Sequence, residues 1–192
     1  MKRALIVGLG NPGKGYEGTR HNIGFAFLRA LAEREGLRFK KEASFKGSIA
    51  EGQIGEDPVL LLLPLTFMNL SGESVALVMR YFQIDLSRLI VVVDDVALPL
   101  GQLRIRINSG SGGHNGLKSI EESLQTNRYP RLRMGVGDRN EGELADHVLS
   151  RFTQEEEKLL PDVLERAIQA VKIWLDQGIT SAMNFANPKG GE

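Results

Sequence analysis

Hydrophobic residues fall in two periods along this chain, and the two alternate. Unbroken apolar runs occupy residues 4–9, 59–63 and 89–93, each closed by Gly, Pro or Asp. Runs of this length bounded by turn formers predict strands buried on both faces. Between them a spacing of three to four takes over. Asn22 is placed to cap a helix to about Glu35, with Ile23, Phe27, Leu28 and Leu31 on one face and Gly36 as its stop. Ser71 is placed to cap a second, to Phe82, with the stripe Val75, Val78, Met79, Phe82. Further strands are expected at 38–41, 46–53 and 131–136, and a helix at 115–124 after a glycine loop. Over 101–107, Leu103, Ile105 and Ile107 alternate with Gln102, Arg104 and Arg106, so one strand face is apolar and the other basic.

Thr153 and Glu156 form a capping box before the stripe Leu160, Val163, Leu164, Ala167, Ile168, Val171, Trp174, Leu175. Pro161 is expected to kink this helix or split off its first turn. Gly178 ends it, a short helix runs on to Phe185, and the tail is expected to fray. Alternating strands and helices predict an α/β fold: a single-domain three-layer sandwich over residues 1–192, with a twisted, mixed but mostly parallel sheet and helices on both faces.

Composition narrows the function. Hydrophobic residues make up 42% and charged residues 25% of 192, which fits a globular chain with its own core. Without cysteine there is no disulfide, thiol nucleophile or Cys-ligated zinc. Basic and acidic residues balance at 24 each, so any nucleic-acid contact must come from a local patch. No apolar stretch is long enough for a signal peptide or a membrane span, and a cytoplasmic location is the expectation.

Two of the three histidines directly precede asparagine in Gly-rich loops, His21-Asn22 and His114-Asn115. In open α/β sheets ligands bind beyond the C-terminal strand ends. Those ends carry Asn11, Tyr16 and His21 after the first strand, then Phe67, Met68 and Asn69, then Asp94-Asp95, then His114 and Asn115. A histidine can take a proton from water while a carboxylate fixes its tautomer. Carboxamides can hold a carbonyl and its developing oxyanion. The set suits hydrolysis of an acyl ester or amide by activated water.

Other chemistries leave weaker traces. No G-x-S-x-G elbow and no HExxH occurs. Asp94-Asp95 is a bare candidate for Mg²⁺. Gly8-Leu9-Gly10-Asn11-Pro12-Gly13 fits a dinucleotide fingerprint, but the next residues, KGYEGTR, have no helical spacing, and no acidic residue ends a strand about 20 positions on. Arg104, Arg106, Lys118, Arg128, Arg131 and Arg133 read either as a solvated rim or as a phosphate-binding patch. An RNA-binding module without chemistry and a nicotinamide-dependent enzyme stand as alternatives.

Taken together, GLGNPGKGYEGTRHNIG, PLTFMNLSG, the Asp94 strand end followed by LPLG, and SGSGGHNGLKSI resemble bacterial peptidyl-tRNA hydrolases, in that family's order. The similarity continues through RLRMGVG into ADHVLSRF. The resemblance implies a monomeric, cytoplasmic α/β enzyme with no metal or cofactor. Its partner would be peptidyl-tRNA, cleaved at the ester between peptide and terminal ribose. It further implies His21 as base, Asp94 as its partner, and Asn11, Asn69 and Asn115 as ligands of the peptide, carbonyl or water. Tyr16 and Phe67 would shape the site, Arg104, Arg106 and Arg133 would meet tRNA phosphate, and residues 110–113 would form a gate. The chain departs from the family at Ile107-Asn108, where more basic residues are common, and in GVGDRNEG, which lacks a proline often found there and bears on the lid around 137–142.

Overall fold

The computed structural model describes residues 2–137 and 142–189. Seven strands form one mixed sheet in the order β2-β3-β4-β1-β5-β7-β6. The four central strands, β4 (Asp57–Pro64), β1 (Ala4–Gly8), β5 (Leu89–Asp95) and β7 (Arg131–Gly135), run parallel. β3 (Gly47–Ile54) and β6 (Leu103–Arg106) flank them antiparallel, and β2 (Lys40–Glu42) pairs with β3 at the far edge. The apolar runs thus become the interior strands, where side chains must be apolar on both faces.

Alternate residues of each run serve different layers. Ala4, Ile6, Ile90 and Val92 pack under α1 (Ile23–Glu35), α5 (Gln154–Gln177) and α6 (Ile179–Ala186). Leu5, Val7, Val91 and Val93 pack under α2 (Ser71–Phe82) and α3 (Asn115–Leu124). The expected three-layer sandwich is what forms. Because the central strands are parallel, the ends of β1, β4, β5 and β7 open on one edge, and the chain crosses from β4 over β1 to reach β5, leaving a crevice there.

Several local expectations are corrected. Neither Asn22 nor Ser71 caps its helix through its side chain. The Ser71 hydroxyl instead donates to the Met68 carbonyl (2.8 Å), tying α2 to the loop before it. The helix at Pro161 is unbroken from Gln154 to Gln177. The lost N–H costs one bond, and the burial of Val163, Ala167, Ile168, Val171 and Trp174 outweighs it. Ile107 lies past the end of β6 and is exposed. The tail does not fray at Asn187, whose carboxamide accepts from the Ile105 N–H (2.6 Å) and donates to the Ile105 carbonyl (3.2 Å). Asn187 thereby satisfies the open edge of β6. A short helix not expected from the sequence, α4 (Leu144–Val148), lies beyond β7.

Candidate active site

The crevice holds a cavity of about 410 Å³ lined by Asn11, His21, Phe67, Met68, Asn69, Asp94, Asp95, Asn115 and Arg133, among others. His21 stands on a single 3-10 turn (Arg20–Asn22) that runs directly into α1. Its position depends on glycine. A Cβ on Gly24 would stand 2.6 Å from both the Leu9 nitrogen and the Val92 oxygen, and one on Gly8 would stand 2.2 Å from the Gly24 oxygen. Only bare backbone lets the first turn of α1 settle on β1 and β5. That contact carries His21 to the end of β5, where Asp94 is buried.

The His21 Nδ1 lies 3.0 and 2.9 Å from the two Asp94 carboxylate oxygens. A carboxylate only accepts, so Nδ1 carries the hydrogen and Nε2 is left with its lone pair. Among the described residues that Nε2 has no hydrogen-bond partner. Asp94 also receives the His114 Nε2 at 2.8 Å. Burial opposes the charge on Asp94, but the contacts with His114 and His21 outweigh it and hold its pKa well below the usual carboxylate range.

Asn11 is oriented as tightly. Its backbone N–H donates to Asn22 Oδ1 and its carbonyl accepts from Asn22 Nδ2, both at 2.9 Å. Its own Oδ1 accepts from the Met68 N–H at 2.8 Å. The amide oxygen is therefore committed, and the Nδ2 donors are the uncommitted part of this cavity-lining side chain. The loop after β1 forms a 3-10 turn (Lys14–Tyr16) with Gly13 at φ 108°, not a helix opening on the third glycine. The dinucleotide reading fails on that geometry, since no helix N-terminus faces a pyrophosphate.

Asn69 and Asn115 are exposed at the cavity wall, Asn115 as the first residue of α3. Phe67 is 56% exposed and meets Tyr16 edge-on at 6.4 Å; Tyr16 itself stands beside the cavity, not on its lining. α4 closes one side with Leu144, Ala145 and Val148, followed by Leu149. His147 donates from Nε2 to the Gly137 carbonyl (2.8 Å) and is structural. Residues 138–141, on which the lid expectation falls, lie outside the described residues.

The basic strand face divides. Arg104 pairs in register with Arg133, and Arg106 with Arg131. Like charges so placed repel unless each is compensated. Arg131 is entirely buried and is not part of a rim. It donates to the Ser109, Gly110 and Asn127 carbonyls and to Glu121, and lies over the Tyr129 ring. Arg133 donates to the Gly110 carbonyl (3.0 Å), faces Asp95 at 3.9 Å and enters the cavity. Arg104 and Arg106 stand outside the cavity, half-buried, with no acidic partner among the described residues.

Sequence reading missed two supports. Arg20 is buried and donates to Ser150 Oγ, the Val136 carbonyl and both Glu156 oxygens (3.0 and 2.8 Å). It clamps the residue before His21 to the start of α5, and the only signal for it was the capping-box glutamate. The other is the role of His114, a residue the sequence set at the strand ends without assigning it one: its Nδ1 accepts from the N–H groups of Gly116 and Leu117, capping α3.

His21, Asp94 and His114 are close enough to suggest a metal site. The donor set does not fit one. With Nδ1 accepting from amides, a neutral His114 carries its proton on Nε2, the atom that would have to bind the ion.

A sequence model of the family described as peptidyl-tRNA hydrolase matches residues 5–191. The peptidyl-tRNA hydrolase of Chloroflexus aggregans is 50% identical over 186 residues, covering 96% of this chain and 98% of that one. That of Alkaliphilus oremlandii is 48% identical over 183 residues, covering 95% and 98%. The crystal structure of peptidyl-tRNA hydrolase from Acinetobacter baumannii superposes with a TM-score of 0.91 at 37% identity, covering 96% of this chain and 94% of that one. The chain belongs to the peptidyl-tRNA hydrolase family, a family of ester hydrolases.

Proposed function

We propose that this protein hydrolyses the ester joining a peptide to the 3'-terminal ribose of tRNA, without a metal or cofactor, as a cytoplasmic monomer, and so returns tRNA for reuse. The observation that supports the mechanism is the His21–Asp94 pair, bonded through Nδ1, with Nε2 unengaged among the described residues in a side chain that lines the cavity. Nε2 takes a proton from water, and the resulting hydroxide attacks the ester carbonyl. Asp94 stabilises the imidazolium that forms. The Asn11 Nδ2 group donates to the carbonyl oxygen as charge builds there, a contact of the kind whose removal costs about a hundredfold or more in rate. The intermediate collapses with cleavage of the bond to the ribose oxygen, and His21 returns its proton to that oxygen.

The size of the cavity supports roles for the remaining residues. A cavity of about 410 Å³ holds an aminoacyl ester and part of a nucleoside but no more of a tRNA. Asn69 and Asn115, exposed on the lining, bond the peptide in this reading, and the Phe67–Tyr16 pair takes the terminal base. Arg133 at the rim, and Arg104 and Arg106 outside it, continue the path to the phosphates of the bound RNA.

A release assay comparing N-acetyl-aminoacyl-tRNA with free aminoacyl-tRNA tests the reading. The blocked substrate is expected to be cleaved and the free one spared. Binding without turnover, or equal cleavage of both, overturns it.

A further inference from the structure

We propose that His114 is a positioning residue for the Asp94–His21 pair: helix α3 locks its imidazole into the tautomer with hydrogen on Nε2, making it a fixed donor to Asp94. The proposal rests on the reading of His21 as the base.

The proton count comes from geometry. His114 Nδ1 stands 3.1 Å from the Gly116 nitrogen and 3.3 Å from the Leu117 nitrogen, both backbone N–H donors. A nitrogen accepting from two donors presents its lone pair, so the hydrogen of the neutral ring is on Nε2. That atom lies 2.8 Å from Asp94 Oδ1. A second proton would have to sit on Nδ1, against two N–H groups and the positive end of a ten-residue helix.

Two consequences bear on the reaction. First, Asp94 Oδ1 is shared between His114 and His21 (2.8 and 3.0 Å), so the carboxylate cannot turn away from His21 without losing the His114 bond. Second, the two rings are only 5.0 Å apart, yet the proton taken from water has one place to go. Among the described residues His21 has an open nitrogen, and both nitrogens of His114 are engaged. The other charged groups at the cavity among the described residues, Asp95 on β5 and Arg133 on β7, face one another and not His114. Asp95 also accepts from the Ala97 N–H.

The decisive variant is His114→Asn. Asparagine is among the best helix N-caps, so it preserves the start of α3. It cannot at the same time supply the Nε2 donor to Asp94. The expected result is a melting temperature lowered by a few degrees for the lost bond to a buried carboxylate, an unchanged KM, and kcat lower by about tenfold to a hundredfold, because the carboxylate no longer holds His21 in one orientation. The acid limb of kcat/KM is expected to move to higher pH, because Asp94, stripped of one donor, acts more strongly on the imidazolium of His21. A role confined to capping predicts wild-type kcat and an unmoved limb, and that result overturns the proposal. Long-range ¹H–¹⁵N correlation spectra of the unmodified protein at neutral pH give a second test that needs no variant. They should show His114 protonated on Nε2 and bare on Nδ1; the opposite tautomer refutes the lock. Retained hydrolysis in His21→Ala defeats the reading of the base while leaving the His114 tautomer intact, so the two failures are distinguishable.

Discussion

The two His-Asn pairs flank one carboxylate and divide their labour in opposite ways. In the loop after β1, His21 lines the cavity with an open nitrogen, and Asn22 is buried beneath it, bracing the Asn11 backbone from both sides. In the loop before α3 both residues line the cavity, but Asn115 is the exposed member and His114, half-buried and bonded at both ring nitrogens, is the brace. The same dipeptide therefore supplies one reactive and one supporting group in each loop, with the residue types exchanged. What decides is where the chain goes next. α1 drops onto β1 and β5 through Gly24, which buries the asparagine, whereas α3 begins at Asn115 and leaves its amides for His114.

The most forceful way to break this comparison is His21→Ala. Turnover of N-acetyl-aminoacyl-tRNA should fall by about a thousandfold or more while the thermal transition persists. Asp94→Asn removes the negative charge, and one of the two acceptor oxygens, common to both loops and should cost kcat about a hundredfold or more. It also has a signature in stability. The Asp94 pKa is lowered on folding, so its contribution is present above about pH 4 and is lost as pH falls through the folded value. In urea titrations the gap between wild type and Asp94→Asn should therefore narrow progressively below pH 4; a constant gap refutes the shift.

The asparagines sharpen the contrast. Asn22→Ala leaves a buried N–H and a buried carbonyl of Asn11 without partners, and should cost about 2–4 kcal/mol in denaturant unfolding. Asn115→Ala should leave stability within about 0.5 kcal/mol and act on KM or kcat alone. Equal stability losses in the two would dissolve the distinction. The smallest effect is expected from Arg104→Gln with Arg106→Gln. It should leave kcat unchanged, raise KM for tRNA substrates and flatten its dependence on salt, since phosphate contacts release counterions.

Much of the fold was legible. The runs that became β1, β4 and β5 are apolar at every position, which only a strand covered on both sides requires, and α3 runs from Asn115 to Leu124 as read. Errors arose where a local signal met a tertiary demand. Asn22 and Ser71 have the chemistry of caps but were recruited to hold neighbouring loops. Arg131 sits on the polar side of an alternating strand, where solvent is the natural guess. Its guanidinium was instead drawn inward by the carbonyls of residues 109, 110 and 127.

The sequence by itself determined the layer order, the strand ends that carry polar groups, and the short set of groups able to do acid–base chemistry, because periodicity and side-chain chemistry are local properties. Only the tertiary structure decided which nitrogen of each histidine is engaged, which amide atom of Asn11 is uncommitted, and which arginines lie within reach of solvent. Those depend on hydrogen-bond partners far away in the chain, brought near by backbone contacts such as Gly8 on Gly24, and no spacing along the sequence encodes them.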